Sequence, residues 1–184
     1  MRRRSLVALA LLVSACRDHR IIQPTLALPR PGEPVPAFAL TLRDSGRLAS
    51  TDLPGKPSVL FLWSTHCPTS RRALAEYRAL QTAYSDRATI VLLSDDASEA
   101  ELTLLPKVLA DSGIGGQVAL ARGRLAELFD RSRTAPERDT ARISFVLPAY
   151  LVLDRDGRVA ARSWGPEPSV VRVALDSLLS RPPA

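Results

Sequence analysis

The chain has 184 residues, the length of one ordinary domain, with 46% hydrophobic and 24% charged residues. Those proportions exclude a disordered chain, and a domain of this size buries roughly 70% of its unfolded surface without a disulfide framework. Two Cys and two His exclude a zinc-ribbon ligand set. No apolar run approaches the roughly 20 residues that span a bilayer.

The net charge is +6, but Arg2, Arg3 and Arg4 account for part of it and lie in a leader. The remaining arginines are interleaved with Asp and Glu, and aromatics make up only 5%. A nucleic-acid surface would cluster its cations with aromatics between them, so no nucleic-acid partner is expected.

Arg2-Arg3-Arg4 is a basic n-region and Leu6 to Val13 a short apolar h-region. Together they read as a secretory signal. The segment ends in Val13-Ser14-Ala15-Cys16, which resembles the bacterial lipobox. That resemblance implies lipidation at Cys16 and a signal peptide over residues 1–15. Residues 16–34 are then a tether rich in proline, and residues 35–184 the folded domain. The implied place is the cell envelope, as a lipoprotein facing the periplasm. Arg17 rather than Asp follows Cys16, which favours the outer over the inner membrane. With Cys16 lipidated, Cys67 is the only thiol left and no internal disulfide can form.

The body alternates strand and helix signals. Phe38 to Arg43 and Leu48 to Thr51 flank the turn Asp44-Ser45-Gly46. Val59 to Trp63 is a continuous apolar run, as in a strand buried on both faces. Pro68 to Tyr84 has a helical apolar face. Thr89 to Leu93 is a second buried strand. Ser98 and Glu101 form a capping box, before a helix that Pro106 should kink or restart and Gly113 should stop. Val118 to Ala121 and Arg124 to Phe129 read as a short strand and a short helix. Asp130 to Ser144 is polar, and is expected to be a mobile lip beside the site. Ala149 to Leu153 and Val159 to Ser163 flank Asp154-Arg155-Asp156-Gly157, and Val170 to Leu179 is an amphipathic helix. The alternation predicts an α/β sandwich with a mixed sheet.

Trp63-Ser64-Thr65-His66-Cys67-Pro68-Thr69-Ser70 joins the first buried strand to the first helix. A Cys at that corner meets free backbone N–H groups and the positive end of the helix dipole, which favour the nucleophilic thiolate. Pro68 suits the first helical position because it has no N–H to satisfy.

From Gly32 to Leu179 the sequence resembles the thioredoxin-like redoxins, in particular their extracytoplasmic TlpA-like and ResA-like branch. The pieces that carry it are Pro36-Ala37-Phe38-Ala39-Leu40, Leu53-Pro54-Gly55-Lys56-Pro57, Val59 to Pro68, and Pro148 to Gly157, in family order. The resemblance implies a thioredoxin-like α/β/α sandwich with an N-terminal β-hairpin extension. It implies a cis bond at Pro148, and a substrate groove lined by Trp63, His66, Pro68, Thr69, Leu147 and Pro148. It implies catalysis at Cys67, with Ser70 in the place of a second Cys. No metal and no cofactor are expected.

The departures from the family set the chemistry. Cys-x-x-Cys is Cys67-Pro68-Thr69-Ser70 here, and a hydroxyl cannot resolve a mixed disulfide. The acidic residue six positions before the Cys is Phe61, and the Glu six positions after it is Ala73. The expected activity is therefore that of an oxidoreductase working by monothiol thiol–disulfide exchange. Its partners are protein or low-molecular-weight thiols and disulfides, with the membrane reached through the lipid anchor. A binding module that has lost turnover is the alternative. A one-Cys peroxidase fits less well, because Leu60 and Pro148 stand where peroxiredoxins place Pro and Arg.

Overall fold

The structure is a computed structural model and describes residues 25–26, 28–130, 143–144, 146–166 and 169–181. Cys16 and the expected signal peptide over residues 1–15 lie outside the described residues, as do residues 131–142, where most of the expected lip falls. The strands are β1 (Thr25–Leu26), β2 (Ala39–Leu42), β3 (Arg47–Ala49), β4 (Ser58–Trp63), β5 (Thr89–Ser94), β6 (Val118–Leu120), β7 (Ile143–Ser144), β8 (Ala149–Leu153) and β9 (Val159–Trp164). The helices are α1 (Pro68–Tyr84), α2 (Glu99–Asp111), α3 (Leu125–Phe129) and α4 (Ser169–Leu179).

Seven strands form one mixed sheet in the order β3-β2-β6-β5-β4-β8-β9. β4 pairs in parallel with β5 and antiparallel with β8, so it lies in the interior of the sheet. That position explains its composition, because a central strand has no face that meets water. Val59, Phe61 and Trp63 point to one side, where Leu74, Tyr77 and Leu80 of α1, Leu105 and Leu109 of α2 and Val171 and Leu175 of α4 close over them. Leu60 and Leu62 point to the other, under Leu28, Phe38, Leu53 and Phe129. Each such fully buried Leu, Val or Phe contributes about 1.5–3 kcal/mol by leaving water. The expected thioredoxin-like sandwich is present, with three helices on one face and α3 plus the N-terminal approach on the other.

The hairpin β2–β3 turns through Ser45 and Gly46, both at positive φ. Ser98 accepts from the Glu101 backbone N–H and Glu101 returns a bond to the Ser98 backbone, which is the predicted capping box. Pro106 does not divide the helix: α2 runs on from Glu99 to Asp111. Beyond it, Gly113 takes the left-handed conformation at φ 63°.

The tether needs correction at its end. Leu28 is buried, and its carbonyl accepts from Arg162. Gly32 N–H donates to Val159 O at 2.8 Å and Val35 N–H to Gly157 O at 3.0 Å, which lays this segment along the β9 edge. β1 also pairs in parallel with β7. Packing therefore reaches back past residue 35. Composition could not show this, because proline-rich segments suit both a free tether and an edge cover, where missing N–H groups are harmless.

Candidate functional site

The site is the corner between β4 and α1. Cys67 is the N-cap of α1, with extended backbone angles of φ −85° and ψ 113°, and Pro68 opens the first turn. Arg71 N–H donates to Cys67 O at 3.1 Å, which starts the helix ladder. The Ser70 N–H donates to Cys67 Sγ at 3.5 Å. The sulfur thus fills the role that Ser, Thr or Asp usually fills at a helix start. On its other side it lies 3.7 Å from Leu147 O, and the Leu147–Pro148 peptide bond is cis, as expected. A thiol can donate to that carbonyl, whereas a thiolate cannot.

These opposing contacts decide the ionisation. Partial burial pushes the Cys67 thiol up. The Ser70 hydroxyl, the Ser70 and Thr69 backbone N–H groups and the Arg72 charge outweigh it, and the net pKa is lowered. The Ser70 hydroxyl is buried and makes no formed hydrogen bond in this rotamer, so turning toward the sulfur costs it no other partner. Alkylation of Cys67 by a neutral reagent should therefore reach half its maximal rate at a pH below that of a free thiol. Ser70→Ala should move the midpoint upward, and a rate profile from pH 5 to 10 checks both. The linked stability has the sign of a depressed acid. It is present above the unfolded thiol's pKa and lost as pH falls through the folded one.

The structure brings Cys67, Pro68, Thr69, Ser70 and Leu147 together at the corner. Cys67, Thr69 and Leu147 are half-buried, Pro68 and His66 are exposed, and Ser70 and Pro148 are buried. Trp63 departs from expectation. It is fully buried in the core beneath α1, so it supports the corner and does not line a groove. It is the last residue of a strand buried on both faces, and strand register, not proximity to the Cys, decides where its ring points.

The two positions at which the resemblance would place acids, Phe61 and Ala73, are filled by apolar packing. The Phe61 ring stacks between Tyr77, at 4.9 Å and 20°, and Tyr150, at 4.6 Å and 24°. Ala73 is fully buried on α1. Neither position can relay a proton.

Asp96 is a residue that sequence reasoning missed. Its carboxylate is fully buried. One oxygen accepts from the Thr65 N–H and the Thr65 hydroxyl, both at 2.8 Å, and the other from the Ser94 hydroxyl at 2.7 Å. Asp95 N–H also donates to Trp63 O at 2.8 Å. The end of β5 thereby holds the corner two residues before Cys67. Two acids directly after a buried strand, in Ser94-Asp95-Asp96, were the available signal.

His66 reaches Glu101 on α2, with 2.9 Å between Nδ1 and Oε1. Glu101 is held down at about 2, first by the Ser98 and Ala97 N–H groups and the Ser98 hydroxyl, with His66 adding a smaller part. His66, Asp96 and Glu101 each offer a ligand atom within 4.8 Å of the others. Asp96 bonds Thr65 and Ser94, while Glu101 bonds His66 and the Ala97 and Ser98 N–H groups, so these residues brace the corner through two separate sets of contacts.

Comparison with known proteins agrees with this architecture. The family described as AhpC/TSA matches residues 31–162. No curated protein matches the chain. Among solved structures, a Chlorobium tepidum protein described as the thiol:disulfide interchange protein DsbE superimposes with a TM-score of 0.65 at 20% identity, covering 83% of this chain and 99% of its own. The thioredoxin domain of a thiol-disulfide oxidoreductase from Bacteroides vulgatus gives 0.63 at 16%, with 81% and 98% covered. A DsbF homologue from Corynebacterium diphtheriae gives 0.62 at 20%, with 79% and 86% covered. At such identities the likeness speaks for the fold alone. With the family match covering most of its length, the chain belongs to the AhpC/TSA family and has the thioredoxin fold.

Proposed function

We propose that this protein carries out monothiol thiol–disulfide exchange through Cys67 outside the cytoplasm, on a domain anchored to the membrane at Cys16, within the TlpA-like and ResA-like branch. The observation that carries the proposal is the corner itself. A half-exposed sulfur caps α1 and accepts from the Ser70 N–H at 3.5 Å, with a hydroxyl where a resolving thiol would stand. The thiolate attacks one sulfur of a substrate disulfide, the electron pair of the broken bond leaves on the other sulfur, and an external thiol later releases the adduct. The Chlorobium tepidum neighbour described as a thiol:disulfide interchange protein supports this reading.

Wild-type protein should accumulate a mixed disulfide at Cys67 when exposed to an oxidised thiol, detected by mass spectrometry of the intact chain. An inert thiol would favour a binding module that uses the surface around Leu147. Rapid consumption of hydrogen peroxide would favour a peroxidase instead.

Anchoring is proposed on Arg2-Arg3-Arg4, Leu6 to Val13 and Cys16. No helix among the described residues is long and apolar enough to cross a membrane. Wild-type protein should fractionate with membranes, and Cys16→Ser should leave the signal uncleaved or release the protein. Soluble wild-type protein whose first mature residue is not Cys16 would overturn the anchor.

A further inference from the structure

Beside the nucleophile, α1 carries Arg71, Arg72 and Arg78. They line one cavity of about 330 Å³ with Leu74, Ala75 and Ser112. None of these lining residues is acidic. Glu76, the only acid of α1, is engaged elsewhere, with its Oε2 at 2.8 Å from Arg172. Among the described residues, the guanidiniums of Arg71 and Arg78 make no ion pair or hydrogen bond, and that of Arg72 bonds only the Thr69 hydroxyl, at 3.1 Å. That bond turns its guanidinium back toward the start of α1, as helical side chains lean. Arg78 lies against Gly113, where an added Cβ would come within 2.9 Å of Nη1. The glycine thus leaves room for the guanidinium at the far end of the cavity.

Three exposed arginines lining one cavity with no acid among them give it a positive field that favours an anion there. Five residues of helix rise, roughly 7.5 Å, separate the backbone of Arg72 from that of Cys67. Counted the same way, Arg71 lies roughly 6 Å and Arg78 roughly 16.5 Å along α1 from Cys67, a span that a disulfide with extended arms can bridge. A guanidinium fork also matches a carboxylate in geometry.

We infer that this cavity is a subsite for the carboxylates of a low-molecular-weight anionic disulfide, which it holds while Cys67 attacks. The inference rests on the reading of Cys67 as an exchanging thiol. In the step, Cys67 forms a disulfide with one half of the substrate. The other half departs as a thiolate and takes a proton from water. No net oxidation occurs, and a second molecule of the same thiol reverses the adduct. The exposed Ala75 supports the apolar part of the bound half, and Ser112 offers a hydroxyl to its polar backbone.

The test compares rates of Cys67 adduct formation by full-length protein in nonionic detergent. The probes are glutathione disulfide, which carries several carboxylates, neutral hydroxyethyl disulfide and cationic cystamine. Each rate is divided by that of free cysteine with the same reagent, so that the reagents' own reactivities cancel. The glutathione-to-hydroxyethyl ratio should be about tenfold or more, cystamine should be slowest, and high salt should shrink the differences. The double variant Arg71→Gln/Arg78→Gln should bring the ratio down toward one. A wild-type ratio of one, or a ratio the double variant leaves unchanged, overturns the subsite while leaving Cys67 an exchanging thiol. No adduct with any of the three reagents removes the functional reading and the subsite with it.

Discussion

Ser70→Cys should convert a protein that stores mixed disulfides into one that discharges them. Ser70 is buried one helical turn beyond Cys67, and its backbone N–H already points at Sγ from 3.5 Å. A thiol in place of its hydroxyl would sit beside any mixed disulfide formed at Cys67. Its attack would be intramolecular, and positioned groups of that kind reach effective molarities far above any external thiol. The adduct lifetime should fall by on the order of 10³-fold or more. An internal disulfide between Cys67 and the introduced thiol should appear, visible as a loss of two hydrogens in the intact mass. Turnover with a disulfide substrate and an external reductant should become measurable yet slow. Phe61 and Ala73, both buried and apolar, leave the second thiol without a base to take its proton. A variant that keeps wild-type adduct lifetimes would show that residue 70 cannot reach the sulfur.

Asp96→Ala should produce the largest loss of stability of any single polar substitution at the site. It would strand the Thr65 N–H, the Thr65 hydroxyl and the Ser94 hydroxyl in a region closed to water. Each buried group left without a partner costs about 1–3 kcal/mol. The total, about 3–9 kcal/mol, is a large part of what ordinary domains possess. Urea unfolding of purified protein measures it directly. Asp96→Asn keeps the volume and one acceptor oxygen, so it should lose about 1–2 kcal/mol. The functional readout is separate. If Asp96 holds the corner, the asparagine variant should form the Cys67 adduct more slowly than wild type at denaturant concentrations where both remain folded. Equal rates would confine Asp96 to a purely structural role.

Much of this protein is legible in its sequence because local rules and global fold agree. A short, continuous apolar run such as Val59 to Trp63 reads as a strand covered on both faces, and it proves to be interior to the sheet. Pro68 marks the first turn of α1, and Asp44-Ser45-Gly46 makes the hairpin, because backbone geometry at those positions is set by the residues themselves. The proposed nucleophile and the hydroxyl beside it are likewise legible locally, since Cys67 and Ser70 lie within one helical turn.

Tertiary structure decided what depends on partners distant in sequence. Trp63 adjoins the site in sequence, yet register turned its ring into the core. The segment around Leu28 is bound to the β9 edge through residues more than a hundred positions away, and proline content said nothing of that. Asp96 holds Thr65 across a separation of 31 residues, a contact that exists only because β4 and β5 lie side by side. The arginines of α1 could be counted in the sequence. That no acid lines their cavity, and that Glu76 is drawn away to Arg172 on α4, follows from helix packing alone. Hydrophobic periodicity carries information about faces and lengths. It carries none about which polar groups the folded chain sets within hydrogen-bonding distance, because those bonds form between elements whose neighbours only the sheet order determines.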